Sequence, residues 1–154
     1  MTAQQIEIAI ARHYDYRRNV IVPNVYWGLN LHYEADLVVL RPSGWAVEVE
    51  IKVSAADIVA DTKKLRQHNS ALFRQLYFAV PESLANHPAI PERAGILSVT
   101  ETKYGLRVKQ IRTAKIRHDA VKWKPETRQK LMELAAMRIW SLKHHLANAK
   151  GVKV

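Results

Sequence analysis

Apolar residues recur first at helical spacing. Ile6, Ile10 and Tyr14 fall four apart, and Thr2 followed three residues later by Gln5 forms a capping box, so residues 2–14 read as an amphipathic helix with a polar outer face. From Val20 to Leu40 β-branched and aromatic residues dominate, and strands are predicted near 20–27 and 35–41. Arg41-Pro42-Ser43-Gly44 interrupts them. Proline presets one corner and glycine supplies a left-handed residue, as a three-residue hairpin loop at 42–44 requires. Trp45 to Val53 alternates again, so the strands on either side of the loop should pair antiparallel.

Ser54 with Asp57 three residues on marks a second helix start near residue 55, with Ile58, Thr62, Leu65 and Leu72 as its stripe and a break near Asn69-Ser70. Gln75–Val80 is an apolar strand stopped by Pro81. Gly95–Thr100 and Leu106–Ile111 form a hairpin across Glu101–Gly105, and Pro88 and Pro91 lie in the loop before it. Pro125 suits the first turn of a long last helix, for which Leu131, Ala135, Ile139, Leu142 and Leu146 predict a buried stripe, with fraying after Asn148. There is no internal repeat. The order of elements predicts an α/β fold with one central mixed sheet flanked by helices, in a single domain over 1–150 followed by a tail at 151–154.

Composition narrows the chemistry. With 154 residues, 48% of them apolar, the chain can bury one core. No run approaches the roughly 20 apolar residues of a membrane-spanning helix and no signal pattern opens the chain, so the expected location is cytoplasmic, without a membrane partner. The absence of cysteine excludes disulfides, thiolate metal sites and thiol nucleophiles. The net charge of +10 is unevenly placed. Residues 1–100 carry ten basic and ten acidic side chains, whereas 101–154 carry fourteen and four, so the whole excess lies in the last third. That asymmetry suits a polyanionic partner, and equally a basic, well-solvated surface.

The strand at 45–53 concentrates the candidate chemistry. Alternation turns Val47, Val49, Ile51 and Val53 to one face and Glu48, Glu50 and Lys52 to the other. If Arg41 opposes Trp45 across the loop, Asp36 opposes Glu50, with Cβ atoms about 5 Å apart and Lys52 roughly 6 to 7 Å further along. Two carboxylates held this close repel, and a hard divalent cation relieves them. Mg²⁺ or Mn²⁺ on Asp36 and Glu50, with Lys52 orienting water or stabilising charge on phosphorus, describes phosphodiester hydrolysis. The plain alternative is a solvated sheet face. Glu48 is then a rim residue or a substitute ligand, and Asp57 and Asp61 serve the helix dipole and pair with Lys64. The seven histidines show no ligand spacing, so zinc is not indicated.

Asp36 followed by Glu50-Ile51-Lys52, within the order helix, three strands, helix, strand, resembles the PD-(D/E)XK nuclease superfamily and its restriction-endonuclease-like fold. Tyr33–Leu40, Val49–Ser54 with Asp57, Asp61 and Lys63, and Leu76–Pro81 are similar to the MmcB-like DNA repair protein family. Gly95-Ile96-Leu97 and the Arg- and Ala-rich last helix extend the likeness over nearly the whole chain. Ala35 stands where the superfamily's name has proline, a position that supplies no ligand. The resemblance implies that Asp36 and Glu50 bind the ion, that the Ile51 carbonyl joins them, and that Lys52 is the catalytic amine; Glu7 on the first helix is a further candidate to face the metal, with an exposed surface glutamate as the alternative.

The expected function is therefore a Mg²⁺- or Mn²⁺-dependent DNA endonuclease in repair or processing, without a small organic cofactor. Lys63, Gln67, Arg107, Lys109, Arg112 and Lys115 are the candidate phosphate contacts, the basic run continuing through Arg117, Lys122 and Lys124 around Trp123; a solvated hairpin edge is the alternative for that run. A homodimer would suit cutting both strands with one site per chain. The competing reading is a nucleic-acid-binding module that no longer cuts, with a purely structural protein ranked last. RNA stays open beside DNA, since no base-reading motif is present.

Overall fold

The computed structural model describes residues 1–26, 28–62 and 70–151. Helix α1 (Ala3–His13) begins at the Thr2 capping box, Thr2 Oγ1 accepting from the Gln5 amide and Gln5 Oε1 from the Thr2 amide. Strands β1 (Val20–Val25), β2 (Ala35–Leu40) and β3 (Ala46–Ile51) follow, then α2 (Ala55–Thr62), β4 (Phe73–Pro81), one 3₁₀ turn (Glu82–Leu84), β5 (Gly95–Thr102), β6 (Gly105–Arg112) and the long α3 (Pro125–Ala149). The six strands lie in sequence order. They pair antiparallel from β1 to β3, parallel from β3 to β5, and antiparallel again between β5 and β6. This is an α/β architecture with a mixed sheet flanked by helices, and no described helix is long and apolar enough to cross a membrane.

Hairpin β2–β3 adopts the register that loop 42–44 predicts. Arg41 and Trp45 face each other through the Arg41 amide, 3.0 Å from the Trp45 carbonyl, and Gly44 closes the turn with φ +85. Pairing then runs from Leu40 with Ala46 to Leu37 with Val49. One face of the sheet is largely apolar: Leu37, Val39, Val47, Val49, Tyr77, Ala79, Leu97 and Val99 bury Ile6, Ala9 and Ile10 of α1. Among the described residues the other face carries two clusters. Toward β1, Val22, Val38, Leu40 and Ala46 meet Leu131 and Leu134 of α3 together with Trp123. Toward β5, Leu76, Phe78, Val80 and Ile96 meet Ile58 of α2.

The polypeptide between β6 and α3 is stitched to the start of β4. The amides of Arg117 and Val121 donate to the carbonyls of Arg74 and Ala71, and the Trp123 indole donates to Leu72 at 2.7 Å. Leu72 was expected on the second helix; it lies instead in the turn before β4, where its carbonyl is used in this way. Leu65, and the tail from residue 152, lie outside the described residues.

The stripe expected on the last helix is buried only at its beginning. Leu131 is fully buried and Leu134 nearly so, but Ile139, Leu142 and Leu146 are 58%, 59% and 52% exposed. Length explains the difference. Twenty-five residues of helix extend about 37 Å, whereas a six-residue strand spans roughly 20 Å. The second half of α3 is therefore left uncovered, past the point where Arg138 donates to the Asn24 carbonyl. Leu131→Ala is expected to cost about 2–5 kcal/mol and Leu142→Ala no more than about 0.5, as read by urea denaturation. Equal costs would contradict this division of α3.

Candidate active site

Between the two apolar clusters, β3 presents Glu48 and Glu50 rather than hydrophobic side chains, and both are almost fully buried, at 1% and 2% exposure. The solvated-face alternative does not describe this environment. A buried carboxylate needs compensation, because the cost of losing its water is several kcal/mol. For Glu50 that compensation is Lys52, whose Nζ lies 2.7 Å from Oε2. The same ammonium is 3.3 Å from Asp36 Oδ2 and 3.3 Å from Asp61 Oδ1.

Each group is placed by its own element. Lys52 lies just past β3, yet its amide still donates to the Ala79 carbonyl of β4 at 3.1 Å, which continues the parallel ladder and keeps its side chain on the Glu50 face. Asp36 lies where β2 outruns its last ladder pair. Its carboxylate accepts the Ile51 amide at 2.8 Å, taking the place of a backbone partner and fixing its orientation. Asp61 comes from α2, one turn beyond the fully buried Ile58 and therefore on the same inward face. The expected pairing of Asp61 with Lys64 falls outside the described residues, but Asp61 itself faces Lys52. Its signal in the sequence was the three-residue spacing from Ile58. Asp57 stays exposed in the first turn of α2, next to its Ser54 cap, in keeping with a helix-dipole role.

Charge sets the protonation states. Burial alone would lower the pKa of Lys52, but Glu50, Asp36 and Asp61 outweigh it and hold the amine above the ordinary lysine range. A raised folded pKa gives a contribution that is complete below the unfolded value and lost only as pH rises through the folded one, so the contribution of the Lys52 ammonium is complete at neutral pH. Tyr33 is pushed up by burial first and then by its hydrogen bond and proximity to Glu48, with Glu50 adding to the shift and Arg93 opposing it. Its phenol therefore remains protonated beside Glu48. In the sequence Tyr33 stands out only as part of the family likeness.

Glu7 of α1 is half-buried, and the negative charge of Asp36 acts on its carboxyl. Arg107 and Lys109 of β6 are exposed opposite Thr100 and Ser98. The guanidinium of Arg112 is engaged by the carbonyls of Ala94 and Pro91, at 2.8 and 2.6 Å. Lys63 and Gln67 lie outside the described residues. Among the described residues no group of three or more His, Asp or Glu side chains is arranged as a metal-holding cluster. The carboxylates converge instead on an ammonium. The donor set nonetheless suits a hard divalent ion: all donors are oxygen, Asp36 keeps 32% of its side chain exposed, and three carboxylates against one ammonium leave two formal negative charges.

No protein-family model and no curated protein matches the chain. Three solved chains match. One is a protein of unknown function from Silicibacter pomeroyi, with TM-score 0.66 at 22% identity over 100% of this chain and 97% of that one. At that identity the likeness is one of fold.

The Glu7 carboxyl lies above its ordinary range because burial disfavours its charge and Asp36 repels it. Its native-state contribution is thus complete below the unfolded pKa and declines as pH rises through the folded value. Glu7→Gln, melted in EDTA, is expected to match wild type near about pH 4 and to have the higher Tm near about pH 7. A less stable variant at the higher pH would contradict the repulsion.

Proposed function

We propose that the chain is a divalent-metal-dependent nuclease of the PD-(D/E)XK kind acting on DNA, close to the MmcB-like repair proteins. The observation that carries this reading is the buried cluster of Asp36, Glu50 and Asp61 about Lys52, with its two surplus negative charges. The basic last third of the chain supports a polyanionic substrate.

Asp36, Glu50 and the Ile51 carbonyl would hold Mg²⁺ or Mn²⁺, with Glu7 at the edge of the site. The chemistry supplied by the bound ion is Lewis-acid polarisation of the phosphodiester and activation of water. Lys52 remains a cation at neutral pH because its carboxylate neighbours raise its pKa. It therefore serves as a donor and fixed positive charge toward the attacking water and the phosphoryl oxygens, rather than as a base. Asp61 and Glu50 restrain the ammonium, so little reorganisation is needed when charge develops on phosphorus. Hydrolysis adds water across one P–O bond.

Cleavage of labelled single-stranded, duplex and branched DNA is expected with Mg²⁺ or Mn²⁺ and to stop with EDTA. Asp36→Ala and Lys52→Ala should each lose about 100-fold or more in rate. Mg²⁺ should also raise the Tm of wild type and not of Asp36→Ala, the stabilisation reaching about 2.7 kcal/mol at 100 times Kd. Binding of DNA by all three proteins with no hydrolysis under any condition would instead make the chain a nucleic-acid-binding module.

A further inference from the structure

A cavity of about 250 Å³ opens on the same sheet face as the cluster, reached by Glu48, which lies two positions before Glu50 on β3 and so roughly 7 Å away. Its wall includes Arg74, Arg93, Lys115 and Arg117, with Glu48 and Asp119 as the acidic members. These cations come from separate segments and are drawn together by the backbone. Arg74 is the extra residue of a bulge, since Ala46 pairs with Phe73 and Val47 with Gln75. The Arg117 amide donates to the Arg74 carbonyl, and the Lys115 amide to the Arg93 carbonyl, both at 2.9 Å.

Four cations around one small concavity repel one another, and against the two carboxylates of the lining their formal balance is two positive charges, with Glu92 meeting Lys115 outside it. Arg117 is held by Asp119 at 2.7 and 3.0 Å, Lys115 meets Glu92 only at 3.6 Å in an exposed contact of little strength, and Arg74 stacks on Trp45 at 4.1 Å. Stacking engages the flat face of a guanidinium and leaves its N–H donors in the plane. Buried Phe73 and Leu76 also line the cavity. Its volume falls just below the roughly 300–1,000 Å³ of drug-sized pockets, which suits one nucleotide-sized group and not a length of duplex.

We propose that this cavity is a subsite for a terminal phosphate of a nucleic-acid strand whose backbone runs on over Glu50 and Lys52. A phosphomonoester carries about −1.5 to −2 charges near neutral pH and so matches the lining better than an internal phosphodiester with one. The inference deepens the nuclease reading and rests on it for the direction of the strand. It makes the enzyme one that measures its cut from an end.

The test is competition binding, in EDTA, of oligonucleotides carrying a 5′-phosphate, a 3′-phosphate or hydroxyls at both ends, with wild type, Arg74→Gln and Lys115→Gln, each checked by thermal melting. Wild type should prefer one phosphorylated end about 10-fold. Inorganic phosphate should abolish that preference, and both variants should bring the ratio of affinities toward about 1. Equal binding of phosphorylated and hydroxyl ends by wild type overturns the proposal, and so does a preference that both folded variants retain. The two readings fail separately. Metal-dependent cleavage with no preference for an end phosphate removes the subsite and leaves the nuclease. A preference lost in the variants of a protein that cuts nothing keeps the subsite and removes the nuclease.

Discussion

Glu50 is buried in the middle of a sheet face beside Lys52, two residues further along the chain, whose ammonium compensates its charge. An isolated carboxylate there would be driven to its neutral form. The ammonium, 2.7 Å from Glu50, makes burial tolerable and draws in Asp36 from β2 and Asp61 from α2. Three elements are thereby tied at one point by charge rather than by packing. The apolar clusters on that face stay separate, one under α3 and one under α2, and Glu48 and Glu50 lie on the strand between them. A continuous hydrophobic layer would pack better, so the polar strip is a departure from what stability alone favours.

The arrangement depends on the strand order. The tight β2–β3 hairpin puts Asp36 next to the end of β3, and the parallel step to β4 lets the Lys52 amide extend the ladder past Ile51. Parallel pairing also demands a crossover, and α2 fills it, which brings Asp61 back over the strand it has just left. The surplus negative charge at the cluster and the surplus positive charge in the adjoining cavity are thus neighbours on one face. For the proposed reaction this gives a cation-binding spot for the scissile phosphate and an anion-binding spot beside it.

Much of the scaffold was legible in the linear pattern because its determinants are local. The Thr2 capping box, the Pro42-Ser43-Gly44 loop and the alternation of β3 each lie within a few residues and specify one geometry. The register of β2 on β3 followed from the loop length, and with it the proximity of Asp36, Glu50 and Lys52. The failures were also physical. Leu142 and Leu146 keep the helical period of Leu131, but a period reports which side of a helix is apolar and not whether anything covers it. Leu72 fitted a helical stripe and belongs to the turn into β4, because an apolar residue near an element boundary satisfies both patterns.

By itself, then, the order of residues determined the elements, the strand hairpins and the short-range pairing of acid and amine, since these are set by chain stereochemistry and spacing. Only the tertiary structure decided that Glu48 and Glu50 are buried, that Asp61 turns to Lys52 rather than serving its helix alone, and that Arg74, Arg93, Lys115 and Arg117 surround one cavity. Burial and convergence of charge depend on what distant segments lie overhead. Those segments are brought there by the packing of the sheet faces, which no local spacing encodes.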